Sequence, residues 1–276
     1  MRYRIAIVLL LTAGAVGVFL HFRKTPLHAI HKGGKGPPTL VLLHGYASSA
    51  DHFIPFSESI ALGDNGRFLF PEAVEQAYRT DGVQDGRAWW DLDLAAHLRT
   101  GKKGIDLSKE RPAGLESAAE DVRALMDAEG NSAKRPFILG GFSQGAMVAC
   151  QIAFTSDEPL AALVILSGTP VDEANWRAQM GRRKGLPVFM AHGRKDTTLP
   201  YDLAERLRAE MVKAGLVVTF VPFDGSHEIP AEAVIGLNEF LVTLPHGSPG
   251  NVGPGSAGVS PAELSLCRRD GGAPSR

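Results

Sequence analysis

Short apolar runs alternate with longer amphipathic stretches along most of this chain, and this alternation constrains the fold more than any other feature. Near-continuous apolar runs bounded by turn residues are typical of strands buried on both faces of a parallel sheet. We expect strands at 39–45, 67–73, 136–143, 160–168, 186–193 and 217–223, and helices at 114–129, 144–155, 202–214 and 230–243. The pattern predicts an α/β fold with a mostly parallel sheet and helices on both faces.

The length and charge of the chain limit the number of domains and the class of partner. A chain of 276 residues that is 44% hydrophobic and 21% charged fits one large α/β domain with appendages. We expect that single domain over residues 38–244, since no internal repeat interrupts it. The formal net charge of -1 provides no field that would attract nucleic acid, which we therefore exclude as a partner.

An uncharged apolar run at residues 5–20 follows Arg2 and Arg4, which predicts a signal or membrane anchor over residues 1–23. Three interpretations stay open: an uncleaved anchor attached to the membrane through residues 5–22, a cleaved signal, and an apolar helix that packs on the protein. In the first two, the rest of the chain lies outside the cytoplasm, in the periplasm or the extracellular space. The run is short for a spanning helix, which needs roughly 17 to 25 residues.

The segments at the two ends of the predicted domain are polar. Residues 24–37 are rich in Gly and Lys, which favours a linker. Residues 245–276 contain few apolar side chains that could offset the entropy of ordering, so we expect a disordered tail.

Cysteine and histidine usage gives no sign of a metal centre. Cys150 lies in an apolar stretch and Cys267 in the polar tail, so neither a disulfide framework nor a CxxC pair is present. The closest pair of histidines, His28 and His31, has no cysteine or carboxylate at ligand spacing. We predict no metal site.

The sequence Gly141-Phe142-Ser143-Gln144-Gly145 stands at the end of a predicted strand and before a predicted helix. In a G-x-S-x-G motif a sharp turn lifts the serine hydroxyl clear of the sheet, and the glycines remove side chains that would collide with backbone. The same five residues could form an ordinary loop. The strand before and the helix after them favour Ser143 as a nucleophile.

A serine nucleophile needs a base and an acid that follow it in the chain order Ser, Asp or Glu, His. Asp196 comes just after a predicted strand, whereas the competing Asp202 has the position of a helix N-terminal residue. His227 follows the last predicted strand, and its rival His192 is interpreted as a structural histidine beside Asp196. We predict a Ser143, Asp196 and His227 triad.

Two backbone amides are the candidate donors of an oxyanion hole. One is the amide of Gln144, which directly follows the nucleophile, and the other is the amide of Tyr46 in the loop after the first predicted strand. Tyr46 could equally be a plain wall of the pocket.

Together these residues resemble the phospholipase/carboxylesterase family of the α/β-hydrolase superfamily, which includes acyl-protein thioesterases. The matching motifs are LLHG at 42–45, FPEA at 70–73, WWDLD at 89–93, LGGFSQGA at 139–146, AHGRKD at 191–196 and DGSHEIP at 224–230. The resemblance implies a serine hydrolase that cleaves carboxylic ester or thioester bonds through an acyl-enzyme, as carboxylesterases, lysophospholipases and thioesterases do, without a cofactor. It implies the same triad and the same oxyanion donors, and a small-molecule or lipid acyl ester as substrate.

The motif Trp89-Trp90-Asp91 has two interpretations. It is either a buried tryptophan pair with a capping carboxylate or one wall of a substrate groove, and we name all three residues as candidate substrate-binding residues.

Two other functions remain open alongside the hydrolase. A binding protein can keep the fold without activity, and a serine acyltransferase or peptidase uses the same triad. The complete set of triad residues argues against the binding protein, and the lack of an added domain or large cap argues against the peptidase.

Overall fold

The computed structural model describes residues 3–12, 15–24, 27–78, 83–92 and 104–244. The strands are β1 (Tyr3–Thr12), β2 (Ala15–Lys24), β3 (Ala29–Gly33), β4 (Thr39–Leu43), β5 (Arg67–Pro71), β6 (Glu75–Tyr78), β7 (Gln84–Ala88), β8 (Phe137–Phe142), β9 (Leu160–Leu166), β10 (Pro187–Gly193) and β11 (Val217–Phe223). The helices are α1 (Ala50–Glu58), α2 (Leu115–Ala128), α3 (Gln144–Thr155), α4 (Glu173–Gln179), α5 (Tyr201–Lys213) and α6 (Ala231–Thr243), with a 3-10 turn at Met180–Arg183.

A seven-stranded sheet runs in the order β11-β10-β9-β8-β4-β5-β3. Every neighbouring pair is parallel except β3 and β5, which are antiparallel. All the predicted strands and helices are present. The predicted mostly parallel sheet is confirmed.

Helices cover both faces of this sheet because successive side chains of each strand point to opposite sides. Val41 and Leu43 of β4 pack in a core formed with α2, α3 and α5. Leu40 and Leu42 of the same strand pack in a second core with α1 and α6. Because these strands are parallel, their carboxyl ends lie at one edge of the sheet, where ligands bind in open α/β sheets.

The predicted linker at residues 24–37 is wrong over its middle part. Residues 29–33 form β3, an edge strand in which Ala29 pairs with Pro71 and Gly33 with Arg67. Ile30 packs against the core of α1 and α6, whereas the Lys32 ammonium forms an ion pair with Glu58 at 2.8 Å on the surface. A strand this short, with one apolar residue between polar ones, has too weak a pattern to stand out from a linker.

The described residues of the N-terminal apolar segment form two strands, β1 and β2. β1 and β2 pair in antiparallel register, from Tyr3 with Lys24 to Thr12 with Ala15. The segment is rich in Ile and Val, which favour extended strands. Within the described ranges, no helix has both the length and the hydropathy needed to cross a membrane.

Several elements of the structure were not predicted from the sequence. Helices α1 and α4 and the β6–β7 hairpin have no counterpart among the sequence predictions. α1 contains Pro55, a residue that normally ends a helical pattern. The predicted disordered tail at 245–276 lies outside the described residues.

Candidate active site

Ser143 stands at the junction of β8 and α3 with φ 54° and ψ -120°, a conformation that L-residues rarely adopt. Flanking glycines allow this turn, because a Cβ on Gly141 would lie 2.5 Å from the backbone of Gly145, and a Cβ on Gly145 would collide with the carbonyl groups of Leu43 and His44. The turn therefore lifts the hydroxyl to the carboxyl edge of the sheet, as the motif predicts.

Ser143, His227 and Asp196 form one chain of hydrogen bonds. His227 Nε2 lies 2.9 Å from Ser143 Oγ, and His227 Nδ1 lies 2.7 Å from Asp196 Oδ2. A carboxylate only accepts, so Nδ1 donates to Asp196 and Nε2 is left to accept the serine proton. The Asp196 side chain is fully buried, whereas that of His227 is 19% exposed toward the site.

The loop after β10 holds the carboxylate of Asp196 from several directions. Its Oδ1 accepts the backbone N–H groups of Thr198 and Leu199 at 2.9 and 2.8 Å. Burial raises the pKa of this carboxyl, but hydrogen bonds from His192 and His227 more than offset burial, and the pKa lies below its ordinary value. Asp196 is therefore ionised and suited to stabilise a positive charge on His227.

The two rival residues take other positions. His192 is fully buried, with Nε2 2.8 Å from the carbonyl oxygen of Leu199 and 3.3 Å from Asp196 Oδ2, so it supports the carboxylate instead of facing Ser143. Asp202 lies in the first turn of α5, where the helix dipole favours an acidic side chain.

One candidate oxyanion donor follows Ser143 in the chain, and the other belongs to the loop after β4. Gln144 is the first residue of α3, so its amide lies at the positive end of the helix dipole. In the loop after β4, a Cβ on Gly45 would lie 3.4 Å from Ser143 Cβ, so the residue before Tyr46 lies beside Ser143. The Tyr46 hydroxyl donates to the carbonyl of Tyr78 at 3.0 Å, so its side chain contacts the β6–β7 hairpin.

The tryptophan pair is part of the core, and the predicted substrate wall is corrected for both residues. Trp89 is 3% exposed and Trp90 1% exposed. The Gln144 side chain accepts from Trp89 N at 2.9 Å and donates to the Trp90 carbonyl at 3.0 Å, which links the pair to the nucleophile helix. Asp91, by contrast, is exposed.

A family model described as Phospholipase/Carboxylesterase matches residues 27–244 of this chain. The chain belongs to the phospholipase/carboxylesterase family. It is a serine hydrolase that acts on ester or thioester bonds, as predicted.

Similar proteins are acyl-protein thioesterases and esterases. Acyl-protein thioesterase 1 of Schizosaccharomyces pombe is 24% identical over 212 residues, covering 75% of this chain and 90% of that protein. Acyl-protein thioesterase 1 homolog 2 of Dictyostelium discoideum is 28% identical over 184 residues, covering 64% and 78%. The structure of esterase PE8 matches with a TM-score of 0.66 and 24% identity, covering 80% of this chain and all (100%) of that chain. Zea mays acyl-protein thioesterase 2 matches at 0.63 and 21%, covering 78% and 97%, and these likenesses confirm the α/β-hydrolase fold.

The comparisons correct the predicted location of this phospholipase/carboxylesterase family member. Its relatives include acyl-protein thioesterases of Schizosaccharomyces pombe and Cryptococcus neoformans, and the prediction of an anchored or exported chain with its domain outside the cytoplasm is wrong. The apolar composition of residues 5–20 suggested a targeting segment, but residues 3–12 and 15–24 form paired strands.

Sequence reasoning missed the supporting contacts of this family's site. It assigned no role to the side chain of Gln144 or to that of His44, although each makes two hydrogen bonds to backbone groups. The repeated dipeptide His-Gly at the ends of β4 and β10 was an available signal. Across the part of the chain that the structure describes, no group of three or more His, Cys, Asp and Glu residues is arranged to hold a metal ion.

Proposed function

We propose that this protein is a carboxylic ester hydrolase in which Ser143 is the nucleophile, His227 the general base and Asp196 the residue that orients it. The observation that carries the proposal is the continuous hydrogen-bond chain from Ser143 Oγ through His227 to Asp196, with distances of 2.9 and 2.7 Å. Acyl esters and thioesters are the substrates, a class supported by similarity to acyl-protein thioesterases.

In acylation, His227 Nε2 takes the proton of Ser143 Oγ as the oxygen attacks the acyl carbon. The carbonyl π electrons move to the oxygen, which becomes an oxyanion that accepts hydrogen bonds from the amides of Gln144 and Tyr46. Collapse of this intermediate breaks the bond to the leaving alcohol or thiol, which receives the proton from His227. The buried, ionised carboxylate of Asp196 stabilises the imidazolium in between.

In deacylation, the same groups act on water. His227 Nε2 takes a proton from a water molecule, whose oxygen attacks the acyl carbon of the Ser143 ester, and the proton then returns to Ser143 Oγ. The products are a carboxylic acid and the restored serine. Asp91, which is exposed next to the buried tryptophans, stays a candidate substrate contact.

The test is hydrolysis of p-nitrophenyl esters of increasing acyl length, and of matching thioesters, by the full chain and by Ser143→Ala and His227→Ala. We expect both variants to lose about 10⁴-fold or more in kcat/KM, because each removes a member of a unit that acts together. Ser132→Ala is the matched control, since Ser132 is exposed near the amino end of β8.

Two results would contradict the proposal. One is a folded wild-type chain that turns over no ester or thioester, which would favour the binding protein. The other is a Ser143→Ala variant as active as the wild type.

A further inference from the structure

The mechanism leaves out a fully buried histidine next to the nucleophile, His44, whose ring nitrogens both have partners. Nδ1 lies 2.8 Å from the carbonyl oxygen of Gly45, and Nε2 lies 3.2 Å from the backbone nitrogen of Ala73. The carbonyl of His44 itself accepts from Trp89 Nε1 at 2.7 Å, and the two rings are in contact with centroids 5.2 Å apart.

These partners define one protonation state of the ring. A carbonyl oxygen can only accept, so Nδ1 carries the hydrogen, and the N–H of Ala73 can only donate, so Nε2 carries the lone pair. Burial lowers the pKa of His44 to about 4, and the ring is neutral near pH 7. Glu72 Oε1 lies 3.7 Å from Nε2, beyond hydrogen-bonding distance, and does not replace Ala73 as the partner.

The contact with Gly45 bears directly on the oxyanion hole. Among the described residues the cis peptide is Pro37–Pro38, so the Gly45–Tyr46 peptide is trans and planar, with its C=O and N–H pointing in opposite directions. Whatever holds the carbonyl oxygen of Gly45 therefore also sets the direction of the Tyr46 N–H. Rotation of this peptide would break the bond to Nδ1 and leave buried polar groups unpaired, which is costly.

We infer that His44 is a positioning residue, which fixes the Gly45–Tyr46 peptide so that the Tyr46 amide faces the oxyanion before the substrate arrives. The inference rests on the proposed function, because it concerns the oxyanion hole of that reaction. Trp89 adds to this support, because its Nε1 donates to the carbonyl oxygen of His44, one peptide before Gly45–Tyr46. A preformed donor needs no reorganisation during the reaction, which is the source of its catalytic effect.

Two substitutions separate the contacts of the ring. In His44→Asn the side-chain amide nitrogen can replace Nδ1 and still donate to Gly45, whereas in His44→Gln the longer amide reaches toward Ala73 and the donor to Gly45 is lost. We expect His44→Asn to keep kcat within about threefold of the wild type. His44→Gln and His44→Ala should lose about 10- to 100-fold in kcat with KM nearly unchanged, since loss of one oxyanion donor costs about 10²- to 10³-fold.

The measurement is steady-state hydrolysis of p-nitrophenyl esters by the full chain, together with inhibition by an acyl trifluoromethyl ketone, which forms a tetrahedral oxyanion on serine. The ratio of its Ki to KM does not depend on the folded fraction, and we expect that ratio to rise in His44→Gln in step with the loss of kcat. The matched controls are His52→Asn and His52→Gln, since His52 is exposed on α1.

The outcomes are distinguishable from failure of the proposed function. If the wild type is active, Ser143→Ala is inactive and His44→Gln equals His44→Asn in kcat and in Ki over KM, the inference is wrong and the proposed function stands. A folded but inactive wild type overturns the proposed function first. If the variants do not fold, the ¹⁵N spectrum of wild-type His44 still decides: a hydrogen on Nδ1 supports the inference and one on Nε2 overturns it.

Discussion

Two strands of the central sheet lead into the same dipeptide at its functional edge. His44-Gly45 follows β4, and His192-Gly193 ends β10. Both histidines are fully buried, and neither glycine has open space for a side chain, because a Cβ would meet Phe142 beside Gly45 and the backbone of Gly225 and Ser226 beside Gly193. The two dipeptides therefore occupy similar places in the fold.

The two rings differ in which nitrogen is used. His44 donates from Nδ1 to the next residue of its own loop and accepts at Nε2. His192 approaches Leu199 and Asp196 with Nε2, while Nδ1 has no hydrogen-bond partner in the described structure. In the proposed mechanism, one ring supports the loop that faces the negative charge of the oxyanion, and the other supports the carboxylate that faces the positive charge on His227. The same dipeptide thus serves opposite charges.

The largest expected effect tests the carboxylate that His192 supports. Asp196→Asn keeps the size of the side chain but removes the charge that stabilises protonated His227, and we expect kcat to fall about 10³- to 10⁴-fold. Ester hydrolysis measures it, with Asp202→Asn as the control because Asp202 lies on the surface turn of α5. If kcat falls less than tenfold in Asp196→Asn, or equally in Asp202→Asn, the Asp196 carboxylate does not have the role on which the comparison of the two histidines depends.

The next effect concerns stability and isolates His44. Burial lowers the pKa of His44 from 6.5 to about 4, so between these values the unfolded chain takes up a proton that the folded chain does not. The free energy of unfolding should fall as the pH is lowered through this window, by about 3 kcal/mol in total. Above the window this group has no effect on stability, and below it the full loss stays constant with pH.

Urea unfolding of the wild type and His44→Asn across that pH window measures the difference. His44→Asn should show a smaller slope with pH. His28→Asn should keep the wild-type slope, since His28 is exposed and, unlike His52, is not among the charges that lower the pKa of His44. Parallel curves for the wild type and His44→Asn would show that His44 takes up a proton equally in the folded and unfolded chains.

The smallest effect sharpens the contrast between the rings. For His192 the functional nitrogen is Nε2, which glutamine can reach and asparagine cannot. We therefore expect His192→Asn to lose about tenfold in kcat, the value of a weakened hydrogen bond to a charged group, and His192→Gln to stay within about threefold. This order is the reverse of that expected at position 44, and the same order at both positions would show that the two rings do not differ in this way.

Regular apolar patterns made much of the fold predictable. The helix predicted at 144–155 has the same bounds in the structure, because it combines an uninterrupted apolar run with a glycine-bearing turn before it. The chain order of Ser143, Asp196 and His227 predicts the triad, and the structure brings the three within hydrogen-bonding distance. The residues that follow the predicted strands were sufficient to predict these three side chains.

Other features depend on contacts that a sequence pattern does not contain. The edge strand β3 exists because β5 offers it a pairing partner, and α1 tolerates Pro55 because its apolar side chains pack on the sheet. The sequence leaves Trp89 and Trp90 either in a groove or in the core, and their burial and the hydrogen bonds of Gln144 place them in the core. An apolar run of charge-free residues likewise fits a helix or paired strands.

Helix α3, directly behind the nucleophile, has a consequence for how this enzyme can evolve. Of its 12 residues, all but Thr155 are buried, from Gln144 to Phe154. A helix without a solvent face accepts few substitutions, since each changes core packing. New substrate preferences must therefore arise in the loops at the carboxyl edge of the sheet, so directed-evolution libraries gain more from those loops than from the helix that follows Ser143.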